Sequence, residues 1–212
     1  MPLKLFLLRH GETTFSQNGG YCGILDVPLT AAGQSMAQAF ADSYASLPWQ
    51  AIYSSPLLRA RSTAQPMVEA TGLELKIRAG LREANFGDWE GKPKDEVNEK
   101  LGDEYRDWMM EPAWNPPTNG ETAVQIASRA MAVIAEIEET HRDGNVLIFS
   151  HKTTLRIILC SLLGIDLGRY RDRLDYPAAS LSIVSFGKYG PLLERMGDRA
   201  YMPQALQERA GT

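Results

Sequence analysis

The 212-residue sequence predicts an α/β fold: a three-layer α/β/α sandwich around a mainly parallel central sheet. Three observations carry this. Short apolar segments alternate with segments of helical period. The run Val146–Phe149 is apolar throughout, as a central parallel strand requires. No repeat, low-complexity tract or composition break divides the chain, so residues 1–212 are expected to form one domain.

In order, residues 3–8 form the first strand, bounded by Pro2 and Arg9. Thr30 is suited to cap a helix over 31–47, where Met36, Phe40 and Tyr44 recur every four residues. Residues 51–53 make a second strand. Ser55-Pro56 has the form of an N-cap and first helical residue for a helix over 57–70, stopped near Gly72. Residues 73–77 form a third strand. The stretch 85–120 holds four prolines and three tryptophans and is expected to be a lid-like insertion with short helices near 95–101 and 104–110. A helix over 121–141 precedes the strand 146–149. A helix over 153–163 follows and ends at Gly164. Residues 181–186 and 192–196 form a closing hairpin or edge pair.

The 22 Lys and Arg against 26 Asp and Glu give a net charge of −4, which argues against a nucleic-acid surface but allows a local anion pocket. Two cysteines cannot build a disulfide framework or a Cys-rich zinc site. The apolar run at residues 5–8 is too short for a secretory core, and 157–165 is about half a membrane span. A cytoplasmic location and no membrane partner are expected.

Two of the three histidines stand at matching places. His10 directly follows the first strand, and His151 follows the strand 146–149 with one Ser between. The carboxyl ends of strands in an open parallel sheet form its ligand crevice, so the two can meet there. His141, beside Arg142-Asp143-Gly144, suits a solvated helix end. In Arg9-His10-Gly11-Glu12-Thr13, Arg supplies a planar fork for anionic oxygens and Gly permits close backbone approach. Arg59 falls one turn into a helix, whose N-terminus itself favours anions; Arg61 is read as a surface residue. Competing chemistries lack their motifs. There is no Asp-x-Asp, no Cys-x5-Arg, no Gly-x4-Gly-Lys-[Ser/Thr] and no Gly-x-Ser-x-Gly. A metal site would have to be built mostly from carboxylates, and none is expected.

Together, 8–13, Gly23–Asp26 with 29–33, 53–60, the Glu83 block, 120–122 and Ser150-His151 resemble the histidine phosphatase superfamily, also called phosphoglycerate mutase-like. Gly20–Gly23 and 162–167 are most similar to the metal-independent phosphoserine phosphatases. The resemblance implies that His10 is the nucleophile, that Arg9, Arg59 and His151 bind phosphoryl oxygens, and that Glu83 is the acid and base. It implies no cofactor. Ser16 stands where the family often has Asn, and Lys152 where it commonly has Gly. Position points to Cys22, Gly23, Arg82 and Lys152 for the leaving alcohol, with Ser16 as a phosphate contact. The implied partner is a small phosphorylated metabolite, with L-phosphoserine the best single candidate; a homodimer is compatible with the sequence. The alternatives are a cofactor-dependent phosphoglycerate mutase, a phosphatase for a phosphosugar or α-ribazole phosphate, and a phospho-ligand-binding regulatory protein. The lone Arg106 argues for hydrolysis over mutase transfer.

Overall fold

A computed structural model describes residues 2–209 and 211. The chain runs β1 (Leu3–Arg9), α1 (Thr14–Asn18), α2 (Ala31–Tyr44), β2 (Trp49–Ser54), α3 (Leu58–Thr71) and β3 (Leu75–Ile77). It continues through α4 (Lys94–Lys100), α5 (Gly102–Met110), α6 (Ala123–Thr140), β4 (Gly144–Ser150) and α7 (Lys152–Leu163). It ends with α8 (Tyr170–Arg173), β5 (Leu181–Gly187), β6 (Gly190–Asp198) and α9 (Gln204–Gln207). One sheet takes the order β3-β2-β4-β1-β5-β6; the first four strands are mutually parallel, and β5 and β6 are antiparallel to their neighbours.

Alternate residues of β1 point to opposite faces of the sheet. Leu3, Leu5 and Leu7 pack with Ile134 and Ile137 of α6 and with Leu155 and Ile158 of α7. Phe6 and Leu8 pack with Phe40 of α2 and with Ala64 and Met67 of α3. Phe40 is fully buried, stacked on Tyr44 at 4.8 Å. Removing such a side chain from water stabilises the fold by about 1.5–3 kcal/mol.

The helix starts explain the differences from the sequence reading. Thr30 caps α2 as expected, its side chain accepting from the Gly33 amide at 3.0 Å. The expected cap pair Ser55-Pro56 is displaced: the N-cap of α3 is Leu57, and its first amide, Leu58, donates at 2.5 Å to Asp26 from a loop distant in sequence. Thr122 and Gln125 form a capping box that starts α6 at Ala123. Glu121, expected inside that helix, is therefore released to make ion pairs. The helix α1 and the short α8 and α9 lie outside the sequence reading; each has at most five residues, too few for a hydrophobic period to show. Among the described residues, no helix is long and apolar enough to cross a membrane.

The segment 85–120 is anchored by an aromatic cluster. Trp89, fully buried, meets Tyr21 at 5.0 Å, Tyr105 at 5.8 Å and Trp108 at 5.2 Å.

The loop after β1 rests on the start of α2 through two glycines. A Cβ on Gly33 would lie 2.2 Å from the Glu12 carbonyl oxygen, and one on Gly11 would lie 2.5 Å from the Gly33 oxygen. Both obstacles are backbone. Gly33→Ala is therefore expected to cost about 1–3 kcal/mol in denaturant unfolding. Because the displaced backbone carries His10, it should also lower activity by more than its effect on the folded fraction.

Candidate active site

β1 and β4 are parallel neighbours in register, with Arg9 opposite Ser150. The next residue of each strand is a histidine, and their ring centroids lie 5.1 Å apart. The sheet thus brings together the pair picked out by strand-end position. The His10 amide donates to the Ser150 carbonyl at 3.0 Å, and the Ala179 amide donates to the His10 carbonyl at 3.0 Å. Thr63 of α3 accepts from the Gly11 amide at 2.9 Å and donates to the Arg59 carbonyl.

His10 lines a cavity of ≈180 Å³ with Arg9, Ser16, Cys22, Arg59, Glu83 and Lys152. Its Nδ1 stands 2.7 Å from the Gly11 carbonyl oxygen. A carbonyl only accepts, so Nδ1 carries the proton and Nε2 keeps its lone pair. Burial foremost, then the charges of Arg59 and Arg9, push this imidazole well below its ordinary pKa. At neutral pH the ring is uncharged.

His151 is fully buried and stands behind the cavity wall. Arg59 Nε donates to its Nδ1 at 3.2 Å, so its Nε2 bears the proton and donates to Ser55 Oγ at 2.7 Å. Burial, with Arg59 next, keeps it neutral as well. The resemblance assigns His151 to phosphoryl oxygens, yet both its nitrogens are already engaged. In this geometry it orients Arg59. Ser55, expected as a helix cap, is instead the partner of His151.

Arg59 is buried and clamps the loop after Tyr21. It donates to the carbonyls of Leu25 at 2.7 Å, Cys22 at 3.2 Å and Gly23 at 2.7 Å. Gly23, expected against substrate, lies off the cavity wall and serves this clamp. A Cβ there would fall 1.9 Å from the Ala84 carbonyl oxygen, which leaves room for glycine alone. Cys22 does line the cavity, and burial pushes its thiol up to about 11. Arg9 is held at 2.7 Å by the Tyr176 carbonyl, and burial first of all lowers its guanidinium to about 10. Ser16 is also on the wall, but its hydroxyl works in the capping box of α1, accepting from the Thr13 amide at 2.8 Å and donating to the Thr13 carbonyl at 3.0 Å.

Glu83 sits against the N-terminus of α7. Its oxygens accept from the amides of Thr153 at 3.2 Å, Thr154 at 3.2 Å and Ala84 at 2.9 Å. Arg129 holds the backbone behind it through the carbonyls of Gly80, Arg82 and Glu83. Arg129 is paired with Glu121 at 3.0 Å, and Arg82 turns to the same carboxylate at 2.7 Å. Burial pushes the Glu121 carboxyl up, but its bonds to Arg129 and the Asn85 amide outweigh this and hold it low. Arg82, expected to face substrate, is absent from the cavity wall.

Sequence reasoning missed Lys94, Arg156 and Arg171, which add positive charge to the wall. Arg156 was accessible to it, being one helical turn after Lys152; Arg171 has no local signature. Among the described residues, no three or more His, Cys, Asp or Glu side chains are grouped to hold a metal.

The chain matches the model of the histidine phosphatase superfamily (branch 1) over residues 5–199. It belongs to that superfamily. Phosphoserine phosphatase 1 of Hydrogenobacter thermophilus is 33% identical over 168 residues, covering 79% of this chain and 80% of the relative. Adenosylcobalamin/alpha-ribazole phosphatase of Escherichia coli is 31% identical over 162 residues, covering 76% and 80%. A solved mycobacterial glucosyl-3-phosphoglycerate phosphatase in complex with VO3 superposes with a TM-score of 0.85 at 27% identity, covering 92% of this chain and 99% of that one. This histidine phosphatase is therefore a phosphatase by family.

Burial, then Arg9 and Arg156, lower the Lys152 ammonium to about 7. It is charged below that pH and neutral above it. A bound anion favours the charged form, so sulfate affinity should fall severalfold from about pH 6.5 to 8.5 by titration calorimetry. Sulfate itself does not titrate there, and both cavity-side histidines stay neutral. Lys152→Met should flatten the profile.

Proposed function

We propose that this chain hydrolyses a small phosphomonoester through a phosphohistidine at His10, with L-phosphoserine the best single candidate substrate. The observation that carries this is the His10 Nδ1–H bond to the Gly11 carbonyl. It aims a neutral Nε2 lone pair into a cavity lined by Arg9 and Arg59.

In the first step Nε2 bonds to phosphorus and the P–O bond to the leaving alcohol breaks. Arg9 and Arg59 stabilise charge on the equatorial oxygens, as a loose phosphoryl-transfer transition state demands. The carboxyl of Glu83 delivers a proton to the departing oxygen. The Gly11 carbonyl accepts from Nδ1–H and steadies the ring as it gains positive character. In the second step water attacks phosphorus, Glu83 takes its proton, the P–N bond breaks and neutral His10 is regenerated. Dividing one displacement into two lowers each barrier. His151 acts as a positioning residue by orienting Arg59.

In this reading the chain is one domain with a three-layer arrangement, and 85–120 is a lid-like insertion bearing on the site. No metal or cofactor takes part, and the setting is cytoplasmic. The exposed Arg106 is paired with Asp103 at 3.0 Å and so offers no second phosphate site, which favours hydrolysis over mutase transfer.

His10→Ala should fold normally by circular dichroism and lose at least about a thousandfold in kcat on para-nitrophenyl phosphate. Rapid quench of the wild type should trap one phosphoryl group on His10, and Glu83→Gln should prolong its lifetime. More than about a tenth of wild-type activity in His10→Ala would refute the nucleophile. Turnover should survive exhaustive chelation. Its loss, with recovery on adding magnesium or zinc, would refute the metal-free reading.

A further inference from the structure

The cavity wall carries far more positive charge than a phosphoryl group requires. Six of its residues are basic, namely Arg9, Arg59, Lys94, Lys152, Arg156 and Arg171, against the single acid Glu83. Glu83 in turn accepts from the backbone amides of Ala84, Thr153 and Thr154. A phosphate dianion at His10 balances Arg9 and Arg59. The other four cations lie on the same wall with nothing in the phosphoryl chemistry to neutralise them.

Their placement is specific. Lys152 and Arg156 stand four residues apart on α7, hence on one face of the helix. The Arg156 side chain is only 12% exposed, with a single carboxylate, Asp175, 3.6 Å from its Nη2, and Asp175 itself is 81% exposed. The buried Nε of Arg156 and Nη1 of Arg171 have no hydrogen-bond partner among the described residues. Arg171 is stacked on the Trp108 ring at 3.8 Å, which fixes its plane. Both side chains also line the cavity, where an anionic group of a ligand can offset their charge.

We infer that Lys152 and Arg156, flanked by Arg171, form a subsite for a carboxylate on the leaving alcohol, so that the preferred substrates are phosphate esters of small hydroxy acids. A guanidinium fork matches a planar carboxylate, and the ≈180 Å³ cavity suits a leaving group of a few carbons. The inference rests on the phosphatase reading above and narrows it. Phosphoserine fits the class, whereas sugar phosphates and nucleoside-like phosphates without a carboxylate do not.

Two matched pairs isolate the carboxylate: L-phosphoserine against phosphoethanolamine, and 3-phosphoglycerate against glycerol 3-phosphate. In each pair kcat/KM should favour the acid by roughly ten- to a hundredfold, the size expected for a charge-assisted hydrogen bond. Arg156→Gln should bring both ratios towards one, and Arg156→Lys should recover part of the preference. Wild-type ratios within about twofold of one, with para-nitrophenyl phosphate still hydrolysed, would overturn the subsite and leave the phosphatase reading standing. Ratios unchanged in a folded Arg156→Gln would equally overturn it. Should that variant not fold, the wild-type ratios alone decide. Absence of turnover on every ester, para-nitrophenyl phosphate included, would overturn the phosphatase reading and the subsite with it.

Discussion

Everything at the site depends on the in-register parallel pairing of β1 with β4. The pairing sets Arg9 opposite Ser150, so the next residue along each strand leaves the sheet at the same height. A parallel ladder has no tight turn to fix its register; the apolar faces do that. Leu5 and Leu7 must meet the α6 and α7 side while Phe6 and Leu8 meet the α2 and α3 side. A slip of one residue would turn every one of these side chains to the wrong face and separate the two histidines. The hydrophobic pattern thus sets, through register, where the two histidines meet.

Burial then determines what the paired residues can do. His10, His151, Arg9 and Arg59 are all withdrawn from water. For the imidazoles burial favours the neutral ring, and the neighbouring guanidinium charges act in the same direction. For the guanidinium groups the loss of hydration is met by backbone carbonyls, from Tyr176 for Arg9 and from the 22–25 loop for Arg59. Those carbonyls fix the planes of the forks before any ligand arrives. Charge stabilisation in a water-poor site is worth more when the donors need not reorganise. The same clamp ties the loop bearing Cys22 to α3, so Cys22 and Arg59 on the cavity wall share one support.

A second support comes from the segment between β3 and α6. Trp89 and Trp108 pack on Tyr21, just before Cys22, and Trp108 also carries Arg171 on its face. Glu121 and Arg129 tie the start of α6 to the backbone of Glu83. Glu83 is therefore held from two directions, by the amides of α7 on its side chain and by Arg129 on its main chain.

Much of this was legible in the chain itself. Strand and helix order followed from apolar period and from caps such as Thr30, because these depend on neighbours within a turn or two. The strand-end rule was enough to join His10 to His151, and the family blocks supplied Arg59 and Glu83. Local sequence could not show contacts made between distant segments. Ser55 has the form of a helix cap, yet its hydroxyl is taken by His151 from another strand. Gly23 stands in a loop expected against substrate, yet its carbonyl holds Arg59. Arg156 and Arg171 belong to α7 and to the short α8, and only packing brings both to one cavity. Sequence alone determined the fold class, the strand ends and the residue types available for chemistry, since those rest on period and composition. Tertiary structure decided that both imidazoles are neutral and which cations converge, because both depend on burial and on contacts between residues far apart along the chain.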